Sequence, residues 1–221
     1  MKFSLTTEQL KSAEKSVFSQ AGQDGVLFEI FKQLRIQKGT FCSWGERDGV
    51  DLSNTANLRL YYGWRGTLID AEPLSPIVEK EYITAESVNH ILAMYKVGDV
   101  DLLCIDQDGN DYWVFEAIQI KPKVIVIEYN SKFRNDESYT IEYNPFHQWQ
   151  GDDYYGASLL ALKKLGEAKG YTLVYVVAEL DAIFIRNDLL HEKYNPIPIE
   201  ELFPNPIIAH TTVSDKKWVK I

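Results

Sequence analysis

The sequence predicts an α/β domain built around a mainly parallel β-sheet. Short apolar runs alternate along the chain with stretches whose apolar residues recur at helical spacing. Several of the apolar runs are continuous, such as residues 101–105 and 124–127, which is typical of strands covered on both faces. Near the C-terminus only three residues separate the runs 171–178 and 182–186, so these two strands are predicted to form an antiparallel hairpin.

The first half of the chain is predicted to form helices around two strands. Residues 6–18 carry weak helical signals, and Asp24 is predicted to cap a helix that Gly39 ends. The apolar residues of that helix fall on one face: Val26, Leu27, Ile30, Phe31 and Leu34. A strand is predicted at 40–44, a helix capped by Ser53 at 53–60, and a second strand at 67–70.

The second half is predicted to continue the alternation. Its elements are a short strand at 81–83, a helix at 86–95, a strand at 101–105, a helix at 112–120, a strand at 123–128 and a helix at 158–169. Residues 130–155 are predicted to form a long polar and aromatic loop, and loops of this length are often functional. We therefore expect one domain over residues 1–190, with a Pro-rich extension at 191–221 packing on it.

Charge and composition exclude several classes of protein. The 221 residues are 45% apolar, and 23 basic against 32 acidic residues give a net charge of −9. Binding to nucleic acid is not expected, because a phosphate backbone needs a basic surface. No apolar run approaches the roughly 18 residues of a membrane span. The N-terminus lacks the apolar core of a signal peptide, and Cys42 and Cys104 lie in apolar strands, so we expect a cytoplasmic protein with reduced core thiols.

Polar clusters follow four of the predicted strands, at residues 45–49, 70–72, 106–111 and 128–130. The carboxyl ends of parallel strands meet at one edge of a sheet, and ligands bind there. The sequence therefore predicts one crevice lined by all four clusters.

The first two clusters suggest a nucleoside site. Gly45 and Gly49 allow a tight turn and close approach of a ligand, although the full dinucleotide-binding fingerprint is missing and an ordinary turn is the alternative. Asp70 lies 21 residues after Gly49, at the end of the second strand, where an acid binds ribose hydroxyls. Glu72 faces the same way if the strand continues; a solvated loop acid is the alternative for both carboxylates.

The third cluster holds three acids around a glycine. It is not an EF-hand calcium loop, because Phe115 stands where the bidentate glutamate belongs. Asp106 and Asp108 are candidate catalytic residues, while capping of the following helix by Asp108 or Asp111 is the alternative.

The fourth cluster adds possible metal ligands. Asp106, Asp108, Glu128 and Asn130 offer the oxygen ligands that magnesium, calcium or manganese prefer, so a divalent cation is a candidate cofactor. Hydrogen bonding of these groups to nearby backbone is the alternative. Without a metal, Asp106 ranks ahead of His147 as the base.

His147 is a candidate base because of where it lies in the chain. It stands in the long loop among aromatic residues, which either face a substrate or pack the loop down. The other histidines show no ligand spacing: His90, His191 and His210.

Several motifs together resemble the FkbM-like family of S-adenosylmethionine-dependent methyltransferases, from about residue 19 to residue 188. The matching segments are SQAGQDG (19–25), GERDG (45–49), SNT (53–55), GWRG (63–66), LIDAEP (68–73), DLLCIDQDGNDYW (101–113), KPK (121–123), VIEYN (126–130), YGAS (155–158), KGY (169–171) and AIFIR (182–186). The resemblance implies a class I methyltransferase fold, with strand order 3-2-1-4-5-7-6 and strand 7 antiparallel.

The resemblance also implies S-adenosylmethionine as cofactor and a small-molecule or glycan acceptor, with transfer to a hydroxyl group. The implied cofactor-binding residues are Gly45, Glu46, Gly49, Asn54, Asp70, Glu72 and Asp106. Within that set, the residues of the Gly45 turn flank the methionine part of the cofactor, Asp70 or Glu72 holds the ribose, and Asp106 lies beside the methyl donor and the acceptor.

Two alternatives remain open at this point. Ser43 stands where the family usually has an acid, and residues 74–98 are short for the family, which favours an inactive binding or accessory protein on the same scaffold. A nicotinamide-dependent oxidoreductase is the weaker alternative, because the dinucleotide fingerprint is incomplete.

Overall fold

The structure is a computed structural model that describes residues 2–203 and 216–221. Residues 204–215 lie outside the described part, so much of the predicted extension at 191–221, including His210, is not described. That the extension packs on the domain therefore stays a prediction.

Helices and strands alternate through the chain as predicted. The helices are α1 (Thr7–Ala13), α2 (Gln23–Leu34), α3 (Ala56–Tyr62), α4 (Val88–Met94), α5 (Asp111–Ala117), α6 (Leu159–Ala168) and α7 (Ile199–Leu202), with a 3₁₀ turn at Asn187–Leu189. The strands are β1 (Thr40–Trp44), β2 (Arg65–Asp70), β3 (Glu79–Lys80), β4 (Leu102–Ile105), β5 (Val124–Glu128), β6 (Tyr139–Ile141), β7 (Tyr171–Val177), β8 (Asp181–Arg186) and β9 (Trp218–Lys220).

Seven strands form the main sheet in the order β3-β2-β1-β4-β5-β8-β7. Strands β1 to β5 pair in parallel, and β8 runs antiparallel to both β5 and β7. Because β6 lies outside this sheet, the seven strands counted along the chain have the order 3-2-1-4-5-7-6. The predicted α/β fold, with its antiparallel C-terminal hairpin, is confirmed.

The register of the parallel strands brings their carboxyl ends to one edge. Trp44 pairs with Ile69, Ser43 with Cys104, and Ile105 with Ile127. The residues that follow β1, β2, β4 and β5 therefore lie along the same edge. The strand order reverses between β1 and β4, which is where ligands bind in open sheets of this type.

The continuous apolar strands are buried on both faces of the sheet. Cys42 and Leu103 belong to a core with α4, α5 and α6, whereas their neighbours Phe41 and Leu102 belong to a second core with α2 and α3. Alternate side chains of a strand point to opposite faces, so an unbroken apolar run supplies both cores.

Asp24 is not the N-cap of α2, contrary to the prediction. Gly22 occupies that position, and Oδ2 of Asp24 accepts hydrogen bonds from the backbone N–H groups of Val17, Phe18 and Ser19 at 2.7–2.8 Å. The carboxylate thus holds the preceding segment against the helix. The helix ends at Leu34, before Gly39, because Arg35 adopts the left-handed conformation with φ 60°.

Ser53 hydrogen-bonds to the start of α3, although this helix begins at Ala56 and not at residue 53 as predicted. Its Oγ accepts hydrogen bonds from the backbone N–H groups of Thr55 and Ala56 at 3.2 and 3.1 Å. Elsewhere β3 lies just before the predicted 81–83, and α5 already ends at Ala117.

A second, two-stranded sheet was not predicted. Within the expected loop at 130–155, β6 pairs antiparallel with β9, so that Tyr139 faces Lys220 and Ile141 faces Trp218. Each strand has only three residues and the partners are far apart in the chain, so neither carries a periodic signal in the sequence.

Every helix in the described ranges 2–203 and 216–221 is too short or too polar to cross a membrane.

Candidate functional site

A cavity of about 710 Å³ lies at the carboxyl edge of the sheet. Seven of the predicted site residues line it: Gly45, Asp70, Glu72, Asp106, Asp108, Glu128 and His147. Four others do not line it: Glu46, Gly49, Asn54 and Asn130. The crevice expected at the strand ends therefore exists, and residues from all four polar clusters line it.

Gly45 allows the ends of β1 and β4 to approach each other. Its φ is +74°, and a Cβ atom at this position would lie 2.2 Å from the carbonyl oxygen of Asp106. Only glycine tolerates both the backbone conformation and the contact. This close approach forms the floor of the cavity between the two strands.

The carboxylate of Asp70 holds the turn after β1. Its Oδ2 accepts from the backbone N–H of Arg47 at 2.8 Å, and its Oδ1 accepts from the N–H of Glu72 at 2.7 Å. Each oxygen keeps a second lone pair that a ligand hydroxyl can use. The Glu72 side chain is exposed and makes no hydrogen bond to the described residues.

Three carboxylates converge at the ends of β4 and β5. Asp106, Asp108 and Glu128 each place one oxygen within 4.8 Å of the others. Burial raises the pKa of Glu128 well above its usual range, and the negative charges of Asp106, Asp111 and Asp108 raise it further. Burial and neighbouring carboxylates raise the pKa of Asp106 in the same way. We call these three residues the acid group; it favours binding a proton or a cation.

Asp111 shapes the loop that carries the acid group. Its two carboxylate oxygens accept from the backbone N–H groups of Gln107 and Gly109 at 2.8 and 3.0 Å, and burial raises its pKa to about 6. Asn110 takes the N-cap position of α5, so the prediction that Asp108 or Asp111 caps this helix is wrong. Asp108 has a left-handed backbone, with φ 51°, and lines the cavity.

Asn130 binds backbone groups through both ends of its amide. Its Nδ2 donates to the carbonyl oxygens of Asp153 and Tyr155 at 2.9 and 3.0 Å, and its Oδ1 accepts from the N–H of Lys132 at 3.1 Å. The side chain anchors the long loop to β5.

The other three predicted residues that do not line the cavity are Glu46, Gly49 and Asn54, and each packs or hydrogen-bonds behind it. Glu46 is buried, its Oε1 accepts from the Thr55 hydroxyl at 3.1 Å, and burial raises its pKa. A Cβ on Gly49 would lie 2.8 Å from Leu68. Asn54 donates to Oδ2 of Asp181 at 3.3 Å.

His147 lines the cavity on the side of the long loop. Its ring packs edge-on against Tyr154 with centroids 5.9 Å apart, and its backbone carbonyl accepts from the Tyr82 hydroxyl at 2.9 Å. Burial lowers the pKa of His147, and the charge of Lys216 lowers it further, so the imidazole is neutral at pH 7. A neutral imidazole can accept a proton.

Asp181 is a buried acid that the sequence analysis missed. It is the first residue of β8, pairs across the ladder with Glu128, and accepts from Gln23 Nε2 at 2.6 Å. The predicted strand begins at residue 182, which leaves Asp181 among the three residues between the two strands. Its signal in the sequence is an acid immediately before a buried antiparallel strand.

Four buried polar atoms along the cavity have no hydrogen-bond partner among the residues that the structure describes. They are Nε1 of Trp44, Nε2 of Gln107, Oε2 of Glu128 and Nε2 of His147. Buried polar groups are normally paired, so unpaired ones need an explanation such as a ligand, an ion or water. Their convergence on one cavity indicates a site for a polar ligand.

The fold defined by these strands is that of class I methyltransferases: a seven-stranded sheet of order 3-2-1-4-5-7-6 with a polar cavity at its carboxyl edge. No protein-family model and no curated protein sequence matches this chain. Membership of the FkbM-like family therefore stays a prediction.

Solved structures similar to this chain include several methyltransferases. The MycE methyltransferase of the mycinamycin biosynthetic pathway, in complex with Mg, SAH and mycinamycin VI, is 17% identical with a TM-score of 0.45; the match covers 77% of this chain and 50% of that chain. The N-terminal domain of EvdMO1 with SAH bound is 10% identical with a TM-score of 0.46, over 77% and 82% of the two chains. An O-methyltransferase family protein from Burkholderia thailandensis is 11% identical with a TM-score of 0.41, over 80% and 65%.

This chain thus spans half the length of the MycE methyltransferase chain. Because all three TM-scores are below 0.5, the class of fold rests on the strand order and its connections.

Proposed function

We propose that this protein is an S-adenosylmethionine-dependent methyltransferase that transfers a methyl group to a hydroxyl group of a sugar or glycan. The observation that carries the proposal is the set of four unpaired polar atoms around the cavity, of Trp44, Gln107, Glu128 and His147. Trp44 and Gln107 offer N–H donors, Glu128 offers an acceptor, and the neutral His147 offers either. A nucleoside joined to an amino acid, together with a hydroxyl acceptor and a cation, supplies the mixed partners that this set requires.

The residues that would hold the cofactor come from β1, β2 and β4. Gly45 lets the ends of β1 and β4 come together at the cavity, and Asp70 has free lone pairs for ribose hydroxyls. When bound, S-adenosylmethionine supplies an activated methyl group on a sulfonium sulfur. A cavity with many carboxylates favours a ligand that carries this positive charge.

His147 is proposed to take the proton from the acceptor hydroxyl. Its Nε2 has no partner among the described residues, it is neutral at pH 7, and it lines the cavity from the long loop. A general base of this kind lowers the barrier when the proton leaves as the new bond forms. Asp106 is the competing base, because its raised pKa makes its carboxylate a stronger proton acceptor.

A divalent cation is proposed to bind at the acid group. Asp106, Asp108 and Glu128 would hold it by oxygen atoms, and the unpaired Oε2 of Glu128 fits that role. The cation would relieve repulsion among the carboxylates and lower the pKa of a bound hydroxyl. Asn130 Oδ1 accepts one backbone N–H and keeps a second lone pair, so it stays a candidate fourth ligand.

The acceptor is proposed to enter past aromatic side chains at the mouth of the cavity. Tyr82 and Trp149 line the cavity and are about half exposed. Flat aromatic surfaces next to polar groups suit a sugar ring, which has apolar faces and polar edges.

The proposed function is tested in two stages. Calorimetric titration with S-adenosylhomocysteine (SAH) and with NAD first identifies the cofactor; we expect heat of binding with SAH only. Transfer of labelled methyl groups to a panel of free sugars and oligosaccharides follows, in excess chelator and after adding back Mg²⁺ or Mn²⁺. The absence of both a heat of binding and a thermal shift at millimolar SAH would contradict the proposal. Full methyl transfer in excess chelator would show that catalysis uses a side-chain base and does not need a metal.

A binding or accessory protein on the same scaffold is the second candidate. Ser43 is buried at the end of β1, where the resembled family has an acid, and β3 has only two residues. This alternative predicts SAH binding without transfer to any acceptor of the panel.

A further inference from the structure

Asn110 occupies the N-cap position of α5 but does not cap this helix. Asparagine at an N-cap normally accepts a hydrogen bond from a backbone N–H of the first turn, which stabilises the helix. Here the side chain makes no such bond to the residues of α5, all of which the structure describes. The residue is buried and lies along the wall of the cavity. Its amide therefore has a different partner.

That partner is the turn that carries His147. Nδ2 of Asn110 donates to the carbonyl oxygen of Asn144 at 2.8 Å, and Oδ1 accepts more weakly from the N–H of Asn144 at 3.5 Å. The same carbonyl oxygen accepts from the backbone N–H of His147 at 2.9 Å. One oxygen atom thus joins the amide of Asn110 to the backbone of His147. We call residues 144–147 the base turn.

The imidazole ring of His147 lies directly against Gly109. A Cβ atom on Gly109 would lie 2.4 Å from Cδ2 and 3.2 Å from Nε2 of His147. The backbone of Gly109 is outside the left-handed region, so the contact with the ring, and not the conformation, requires glycine here. Gly109 directly follows Asp108 of the acid group. The ring therefore lies next to the loop that carries that group.

We propose that Asn110 is a positioning residue, which holds His147 over Gly109 and beside the acid group, in the place from which the imidazole takes the proton of the acceptor. This inference rests on the proposed function and deepens it. Proton transfer requires hydrogen-bond distance, so a base that moves by about 1 Å loses much of its effect. Tyr82 and Tyr154 also contact His147, but neither belongs to the loop of the acid group. Asn110 fixes the base from within that loop.

Two substitutions remove the contact in different ways. Asn110→Asp keeps the shape and an oxygen that can cap α5, but it presents an acceptor to the carbonyl oxygen of Asn144. Asn110→Ala removes both hydrogen bonds without adding a charge. Asn89→Ala is the matched control, because Asn89 joins two elements in the same way outside the cavity lining: its Nδ2 donates to the carbonyl oxygen of Ala117 at 2.8 Å, and its Oδ1 accepts from the N–H of Gln119 at 2.9 Å.

Gly109→Ala displaces the ring without touching the amide of Asn110. Its added methyl group occupies the place of the His147 ring. Gly98→Ala is the control, because Gly98 also lies outside the left-handed region and no described atom lies within 4 Å of its Cβ position.

Three quantities are measured for each protein: hydrogen exchange of the base turn, SAH affinity by calorimetry, and kcat and KM for methyl transfer to the sugar panel. We expect both Asn110 variants and Gly109→Ala to lower kcat about tenfold or more, while SAH affinity and the acceptor KM change less than about threefold. Exchange of the base turn should increase about tenfold or more in the two Asn110 variants. Asn89→Ala and Gly98→Ala should leave kcat unchanged.

The outcomes separate this inference from the proposed function. A kcat within about twofold of the wild type in Asn110→Ala, or a loss that Asn89→Ala shares, would overturn the inference and leave the proposed function standing. A loss confined to Asn110→Asp would also overturn it, because the added charge would then be the cause. A fall in SAH affinity as large as the fall in kcat would indicate general disruption and overturn it as well. If the wild type transfers methyl groups to no acceptor of the panel, both the inference and the proposed function fail.

Discussion

Gly45 and Asp106 meet where β1 and β4 end, so closely that a Cβ on Gly45 would lie 2.2 Å from the Asp106 carbonyl oxygen. The contact joins the turn that follows β1 to the loop that carries the acid group. Any side chain at residue 45 must push these two strand ends apart. The arrangement of these two strand ends at the cavity therefore requires a residue without a side chain at position 45.

Gly45→Ala is expected to destabilise the protein and abolish SAH binding. The positive φ alone costs about 1–2 kcal/mol for a residue with a Cβ, and the clash with Asp106 adds to that cost. Gly151→Ala is the matched control, because Gly151 has φ +75° with nothing within 4 Å of its Cβ position. Urea unfolding of both variants separates conformational strain from the clash. Equal losses of stability would show that the close approach is unimportant.

Asp70→Ala is expected to weaken SAH binding by about 1–3 kcal/mol, the cost of leaving buried hydrogen-bonding partners unpaired. The substitution also frees the N–H groups of Arg47 and Glu72, so Asp70→Asn is measured beside it. Glu72→Ala serves as the control, because its exposed side chain makes no hydrogen bond to the described residues. Calorimetry gives the affinities. An Asp70→Ala variant that binds SAH like the wild type would exclude ribose binding at this carboxylate.

Mg²⁺ or Mn²⁺ is expected to raise the melting temperature of the wild type, because a cation neutralises repulsion within the acid group. Glu128→Gln removes one charged ligand and should lose most of this shift. Glu72→Gln, which changes a lining acid outside the acid group, should keep it. Differential scanning fluorimetry with and without each cation measures the effect. A shift that persists in Glu128→Gln would place the cation elsewhere.

Glu46→Gln is expected to change how stability depends on pH. Burial raises the pKa of Glu46 from its ordinary 4.5, so the folded protein binds this proton more tightly than the unfolded chain. Stability is then lost as pH rises above 4.5 and the buried carboxyl ionises. Glutamine does not ionise, so the variant should be no more stable than the wild type at about pH 4 and measurably more stable at about pH 8. Urea unfolding of both proteins at the two pH values measures this. A difference in the free energy of unfolding that does not change with pH would show that ionisation of Glu46 does not destabilise the fold.

Trp218→Ala is expected to loosen the long loop without unfolding the domain. Trp218 contacts the rings of Phe133 and Tyr154 with centroids 4.7 and 5.0 Å apart, and Tyr154 in turn packs against His147. Hydrogen exchange should therefore increase in residues 139–155 while the main sheet stays protected. Lys217→Ala is the control, since its exposed ion pair with Glu142 contributes little. Unchanged exchange in the loop would mean that β9 does not hold it.

The main sheet could be predicted because its strands are apolar on both faces and their ends carry polar residues. Local patterns of this kind depend only on neighbours in the chain. The prediction failed where one side chain had several possible backbone partners. Asp24, Asp111 and Asn130 all stand where an acid or amide can cap a helix or face a ligand, and each instead binds the N–H or carbonyl groups of its own loop.

The sequence by itself determined the class of fold and the edge of the sheet at which the cavity lies, because hydrophobic periodicity sets the strands and the parallel arrangement sets where they end. Only the tertiary structure decided which polar side chains line the cavity and which instead hydrogen-bond to the backbone around it. Asp181 joins Glu128 across an antiparallel ladder, and β9 pairs with β6 from the other end of the chain. Such contacts depend on packing between distant segments, and hydrogen-bond geometry selects among partners that the sequence leaves equivalent.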